Sequence, residues 1–328
     1  MLHDRFGRAV DDLRISITDR CNFRCVYCMP EHGLRWLPRK EILSYEEILR
    51  VVAVMLRLGI TTVRLTGGEP LVRPDVEVLV RGLRALGPGL DLSLTTNGFF
   101  LPDKAAALAR AGLTRVNVSL DSLHPDRFAR MARVQRRCFA KVLEGLDAAL
   151  SAGLGPVKVS VVLMKGHNDD EVLDFARLAR QKAVQVRFIE FMPLDGAGGW
   201  SPELVVPGNE VRRRIAHVYP LVPARDPGPG PAARYRFADG AGGVGFINPV
   251  TEPFCGSCNR IRLTADGQLR TCLFSTREHD LKSLLRSGAG DKALEQFVVQ
   301  VVWTKDPGHR INAPDFVRPA RAMSAIGG

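Results

Sequence analysis

Polar and apolar residues alternate in six short segments: Leu13–Thr18, Thr61–Thr66, Asp91–Thr95, Arg115–Leu120, Val157–Leu163 and Gln185–Phe191. A period of two predicts strands. Arg14, Ser16 and Thr18 share one face of the first, opposite Ile15 and Ile17. Arg64 and Thr66, Ser93 and Thr95, Asn117 and Ser119, and Lys158 and Ser160 repeat the pattern, opposite apolar positions such as Val63, Leu65, Leu92, Leu94, Val116, Val118, Val159 and Val161.

Helical patterns lie between these strands. Ser44-Tyr45-Glu46-Glu47 reads as a capping box that opens a helix with Ile48, Val51, Val52 and Met55 on one face and Gly59 as its stop. Asn168 is the expected cap of a helix whose first turn carries Asp169, Asp170 and Glu171, with Val172, Phe175, Ala176 and Ala179 as its apolar stripe. Alternating strands and helices predict a parallel sheet.

Strands covered by helices on both faces read as continuous apolar runs. One polar face per strand therefore predicts an α/β fold of another kind. It is an incomplete (β/α)6 TIM-type barrel with helices on the apolar face and a polar lumen that holds a polar ligand. A full eight-unit barrel fills its interior with branched apolar side chains. The alternative on this pattern is a doubly wound sheet with polar edges.

After Met192 the alternation stops, and Pro220–Pro231 reads as a loop rich in Pro and Gly. The expected division is residues 1–200 as the barrel and residues 201–328 as a smaller C-terminal region. Within it, Gly240–Gly245 fits G-x-G-x-x-G, but Phe246-Ile247-Asn248-Pro249 is a poor helix opening, so a turn between strands is expected rather than a dinucleotide site. No apolar run approaches the roughly 20 residues that span a bilayer. The segment Met1–Arg14 lacks the apolar core of a signal peptide, so a cytoplasmic protein without a membrane role is expected. The net charge of +11 suits an anionic partner without choosing among nucleic acid, phosphates and nucleotides.

Chemistry is concentrated in the cysteines. Cys21, Cys25 and Cys28 follow the first strand at C-x3-C-x2-C spacing; Cys255, Cys258 and Cys272 form a second group; Cys138 stands alone and is given no role. Clustered cysteines in a reducing compartment point to metal. A cubane iron–sulfur cluster takes four thiolates, so three leave one iron open for chemistry. A zinc site completed by His3 or His32 is the alternative for the first group, and a zinc knuckle completed by His279 for the second. Gly67 and Gly68 permit close backbone approach, and the adjoining Glu69 offers a carboxylate to an ammonium. Arg260 and Arg262 share a face beside the second group, suited to phosphates or a purine edge.

C-x3-C-x2-C with Tyr27 before the last cysteine, followed by Gly67-Gly68-Glu69-Pro70, resembles the radical S-adenosylmethionine superfamily. The segment CGSCNRIRLTADGQLRTCLF, with DLRISITDRCNFRCVYCMP, TGGEPLVR, LTTNG, VNVSLDSL, RFIEFMPLDG and the terminal MSAIGG, is similar to the GTP 3′,8-cyclase family across essentially the whole chain. That resemblance implies a lyase converting GTP to (8S)-3′,8-cyclo-7,8-dihydroguanosine 5′-triphosphate in molybdenum cofactor (molybdopterin) biosynthesis. It implies two [4Fe-4S] clusters, on Cys21, Cys25 and Cys28 and on Cys255, Cys258 and Cys272. S-adenosylmethionine would meet Tyr27, Gly67, Gly68, Glu69, Ser119 and Met192. GTP would meet Arg14, Arg64, Thr95, Lys158, Arg260 and Arg262. Arg14, Arg260, Arg262 and the Gly327-Gly328 tail would serve catalysis. The implied partners are an external low-potential electron donor, the next enzyme of the molybdopterin pathway and a second copy of the chain in a homodimer, with no nucleic acid.

Overall fold

The structure, a computed structural model, describes residues 1–196, 198–225 and 230–327. Gly328 lies outside the described residues. The six expected strands form as β1 (Asp12–Ser16), β2 (Thr62–Thr66), β3 (Asp91–Thr96), β4 (Arg115–Ser119), β5 (Val157–Leu163) and β6 (Val184–Glu190). Between them lie α1 (Tyr45–Arg57), α2 (Val76–Leu86), α3 (Leu101–Arg110), α4 (Pro125–Ala132), α5 (Cys138–Ser151) and α6 (Val172–Gln181). After α7 (Gly208–Val218) come β7 (Leu221–Pro223), β8 (Ala233–Phe237), β9 (Gly243–Ile247), β10 (Arg260–Leu263), β11 (Gln268–Arg270) and β12 (His279–Asp280). The chain ends through α8 (Leu281–Arg286), α9 (Asp291–Trp303) and α10 (Met323–Ile326).

All these strands belong to one mixed sheet in the order β12-β11-β10-β1-β2-β3-β4-β5-β6-β9-β8-β7. β1 to β6 are parallel neighbours, and β10 and β9 extend the parallel run at its two edges. The strands contributed after residue 201 thus continue the sheet of the first 200 residues. The Gly240–Gly245 segment falls at the turn between antiparallel β8 and β9, as its sequence context implied.

Burial follows the alternation. Leu13, Ile15, Val63, Leu65, Leu92, Leu94, Val116, Val118, Val159 and Val161 are fully buried in one core with the inward stripes of α1 to α6. The capping box of α1 forms in both directions: the Ser44 side chain accepts from Glu47 N–H, and Glu47 accepts from Ser44 N–H at 2.7 Å. Asn168 departs from expectation. Its side chain does not cap α6 but turns inward, accepting from Met164 N–H at 2.8 Å and donating to the carbonyls of Asp121 (2.7 Å) and Val162 (2.9 Å). Unpaired backbone groups at the ends of β4 and β5 are buried there, and a side-chain amide carries both the donor and the acceptor they require.

Candidate active site between two cysteine groups

The polar face of the sheet lines a cavity of about 270 Å³ that both cysteine groups enter. Cys21, Cys25 and Cys28 stand at one side, after β1. Cys255 and Cys258 precede β10 and Cys272 follows β11, at the other. The cavity therefore joins two triads separated by more than two hundred residues of sequence.

Backbone contacts fix the first triad. Gly68 N–H donates to Thr18 O and Glu69 N–H to Arg20 O, each at 2.8 Å. A Cβ on Gly67 would stand 2.5 Å from Thr18 O, and one on Gly68 would stand 2.6 Å from Asp19 O, so only glycine lets these two loops touch. From the other side Ala132 O receives Arg24 N–H at 3.0 Å and Met131 O receives Val26 N–H at 2.9 Å. Arg133, in the left-handed region at φ 51°, donates to Met29 O at 3.0 Å.

Glu69 does not line the cavity. Its carboxylate accepts from Leu71 N–H (3.0 Å), Thr96 Oγ1 (2.8 Å) and Asn97 N–H (2.7 Å), tying the end of β2 to the end of β3. Burial pushes its pKa up to about 7 against those three donors. Tyr27 lines the cavity and donates to Asp121 Oδ2 at 2.7 Å. Burial raises Asp121 to about 6, while Tyr27 and the Val162 N–H work against the shift. Gly67, Gly68, Ser119 and Met192 also line this part of the cavity.

The deeper lining is cationic. Arg14, Arg64, Thr95, Arg260 and Arg262 all reach it, and so does Arg187, a residue the resemblance did not supply although it alternates with Val186 and Phe188 on β6. Lys158 is buried below the lining, beside Asn117 and Gln185 in register. Arg14 is registered with both Arg64 and Arg262. Burial and then Arg64 lower Arg14 to about 9, and burial lowers Arg64 to about 10. Guanidiniums stay charged, so these shifts measure the electrostatic stress of a buried cationic wall. Asp12, buried behind the wall, offsets part of the charge on Arg14 and Arg64, and the acids that line the cavity are engaged elsewhere. Asp121 serves Tyr27, and Glu190 accepts from the backbone N–H groups of Gly208, Val250 and Thr251.

The C-terminal tail enters the same space. Arg262 donates to Gly327 O. A Cβ on Gly327, which has φ +84°, would stand 2.5 Å from Thr66 Oγ1. Met323 and Ser324 line the cavity. Arg321, just upstream, grips Asp266 at 3.0 and 2.8 Å and Glu278 at 2.8 Å.

The thiols fit iron–sulfur ligation. Burial raises Cys21 to about 12, Cys25 well above its ordinary value and Cys28 to about 11. Bare, these groups would be neutral thiols, and a bound cation is what makes them thiolates. At Cys258 burial raises the pKa, but Arg260 and Lys305 overrule it and bring the thiol down to about 7. Among the described residues no three His, Cys, Asp or Glu side chains converge on a single-ion site; a cubane takes its thiolates on separate irons. His279 does not line the cavity, whereas His309 does. Its ring sits edge-on to Phe274 at 4.9 Å, and neither ring nitrogen has a hydrogen-bond partner of acceptable geometry. Cys138, half-buried at the start of α5, stands outside the lining.

Comparisons with known proteins agree with this geometry. The family described as "Radical SAM superfamily" matches residues 15–179, and "Molybdenum Cofactor Synthesis C" matches residues 184–311. The chain is 48% identical to the GTP 3′,8-cyclase of Pelotomaculum thermopropionicum over the whole of both chains. It is 48% identical to that of Streptomyces coelicolor, covering 100% of this chain and 96% of the relative. The relative from Thermodesulfovibrio yellowstonii is 46% identical over the whole of both. Among solved structures, Streptococcus suis SuiB bound to S-adenosylmethionine superposes with a TM-score of 0.63 at 12% identity, over 96% of this chain and 76% of that one, a likeness of fold. No helix among the described residues is long and apolar enough to cross a membrane. The chain belongs to the radical S-adenosylmethionine superfamily and, within it, to the GTP 3′,8-cyclase family.

Proposed function

We propose that this cavity binds S-adenosylmethionine beside Cys21, Cys25 and Cys28 and GTP between there and Cys255, Cys258 and Cys272, and that it cyclises GTP to (8S)-3′,8-cyclo-7,8-dihydroguanosine 5′-triphosphate for molybdenum cofactor biosynthesis. The sheet acts as an incomplete (β/α)6 barrel, each cysteine triad holds a [4Fe-4S] cluster, and the overall reaction is that of a lyase. One observation carries the reading: a buried cavity joins two thiol triads over a wall of arginines that the single carboxylate against it, Asp12, offsets only in part.

When bound, the first cluster supplies the single low-potential electron that radical chemistry on S-adenosylmethionine requires. The chain's own residues do the rest by position. Gly67 and Gly68 bring the β2 turn against the first cysteine loop and border the part of the cavity that takes the amino acid end of S-adenosylmethionine. Glu69 holds that turn to β3. Tyr27, Ser119 and Met192 border the same region. Arg14, Arg64, Arg260 and Arg262 offer charge to the triphosphate, with Arg187 beside them; Lys158, neutral at pH 7 in the free protein, gains its proton as the triphosphate arrives; and Thr95 offers a hydroxyl. The triphosphate relieves the repulsion that these cations exert on one another. Holding both reactants in one enclosed volume fixes the 3′ hydrogen of the ribose toward the reacting carbon and keeps water away. The tail, anchored where Arg262 meets Gly327, closes the cavity beside the reacting atoms. An external low-potential electron donor, a homodimer and hand-over to the next enzyme of the pathway complete the proposal for a cytoplasmic protein.

The test is anaerobic reconstitution with iron and sulfide, followed by S-adenosylmethionine, dithionite and GTP. Mass spectrometry should find 5′-deoxyadenosine and the cyclic dihydroguanosine triphosphate together. Deoxyadenosine without the cyclic nucleotide would overturn GTP as the substrate, and neither product from protein carrying about eight irons would overturn the radical chemistry.

A further inference from the structure

The turn after α9, residues Lys305 to His309, wraps the second cysteine group although it follows Cys272 by more than thirty residues. A Cβ on Gly308 would stand 3.0 Å from Cys255 Cβ. The His309 N–H lies against the Cys255 thiol. Arg8 donates to Cys255 O and Pro307 O, each at 2.8 Å, and so fastens the turn to that cysteine. Lys305 is the centre of the arrangement. It is 3% exposed. Its ammonium donates to Thr271 O at 2.6 Å, to Arg260 O at 2.9 Å and to Cys258 Sγ at 3.7 Å.

A lysine has three donors, and here each has an acceptor within or beside the second cysteine group. Thr271 immediately precedes Cys272, and Arg260 follows Cys258 by two residues. One buried cation thus joins the strand ends that carry two of the three thiols and touches one thiol directly. Among the described residues no carboxylate accepts from it.

We propose that Lys305 is a positioning residue of the second centre: a fixed cation, hydrogen-bonded to the Cys258 thiolate, that holds the three thiolates in place and raises the reduction potential of the cluster they carry. This rests on the two-cluster reading above. The physical reason is that reduction adds negative charge, and both a hydrogen bond to a ligand sulfur and a nearby positive charge favour the reduced form. Lys305 does not line the cavity, so its effect reaches substrate only through the centre it holds.

The experiment uses the full chain with Cys21, Cys25 and Cys28 replaced by alanine, reconstituted anaerobically, so that iron content and electron paramagnetic resonance report the second centre alone. If this background retains no cluster, the two-cluster reading fails, and this inference with it. If it retains about four irons, redox titration compares Lys305→Met with Lys305→Arg. The methionine variant should shift the reduction equilibrium toward the oxidised form about tenfold, ~59 mV for a one-electron couple, and arginine should restore most of it. Should methionine abolish cluster binding while arginine keeps it, the requirement for a cation stands. An unchanged equilibrium in Lys305→Met, or cluster loss in both variants, overturns the proposal. A measurement independent of any Lys305 variant is pulsed resonance on this background labelled with ¹⁵N-lysine, where a nitrogen coupling to the reduced cluster is expected and its absence overturns the hydrogen bond.

Discussion

Replacing Lys158 by methionine should make the protein more stable, and most so at low pH. Lys158 is 5% exposed and faces Arg187, Arg115 and Arg64. The one nearby carboxylate, Asp91, is held by Arg115 at 2.8 Å. Burial, then those arginines, lower the Lys158 pKa from 10.5 to about 6. A base whose pKa falls on folding destabilises the native state. The penalty is absent above 10.5, grows as pH falls toward the folded value and is constant below it. At pH 7 the gap to 10.5 is about 3.5 pH units at ~1.4 kcal/mol each, roughly 5 kcal/mol. Relaxation and water entry reduce such interior penalties, and about half, ~2–3 kcal/mol, is the working figure. Methionine keeps the stem's packing and removes the charge. The expected gain in melting temperature at pH 7 is then a few degrees, on the order of 3–4 °C for 328 residues. It should rise slightly at pH 6 and shrink to about 1 kcal/mol or less by pH 9.5. Scanning calorimetry of the reconstituted wild type and variant across that range is the assay. A difference that does not change with pH, or a variant less stable than wild type at pH 6, refutes the reasoning.

Three further outcomes follow from the site. Gly68→Ala forces a Cβ to 2.6 Å from Asp19 O, an overpacking of about 1–3 kcal/mol that falls on the first cysteine loop. Iron analysis should show about four rather than about eight irons per chain, with S-adenosylmethionine binding lost, and full iron content would contradict it. Arg260→Ala removes a cation that lies over Phe254 at 4.9 Å and lines the cavity. At roughly 1.5–3 kcal/mol for a charge-assisted contact, calorimetric GTP affinity should fall by roughly 10- to 100-fold while S-adenosylmethionine binding holds; equal loss of both would count against the assigned roles. Arg321→Ala frees the tail from Asp266 and Glu278. Turnover should fall more than the Michaelis constant for GTP rises, and the last residues should become susceptible to carboxypeptidase; a protected tail with normal turnover would remove the clasp from the account.

Much of this was legible because strand alternation and cysteine spacing are local. Arg14, Arg64, Thr95, Ser119 and Asn117 reach the cavity from the faces that alternation assigns. Arg187 carried the same signal on β6 and could have been found by it. Asn168 was misread because a polar residue before an acidic turn has two uses, and only the burial of neighbouring backbone groups decides between them. Lys305, His309 and Arg8 left no local trace. Each is one polar residue in a loop, and its meaning depends on contacts across 30 to 300 positions of sequence. β9 and β10 were likewise invisible as members of the parallel run, since β10 finds its place only by pairing with β1.

The lumen can be this polar because the sheet separates two tasks. Every strand from β1 to β5 turns branched apolar residues outward under its helices, and those positions are fully buried. That face alone drives folding, since burial of apolar area is what stabilises. The inner face is free to hold Arg14, Arg64 and Arg262 in mutual repulsion, with Lys158 left uncharged at pH 7 by burial and its arginine neighbours. Their stress is not a defect of packing but a binding potential, released when an anion arrives. Where neither face suffices, at the ends of β1 and β10, position is fixed by backbone contacts and single cations: Gly67 and Gly68 against Thr18 and Asp19, Lys305 against Cys258 and Arg262 against Gly327. These are the places where a conservative change should silence the chemistry and leave the fold intact.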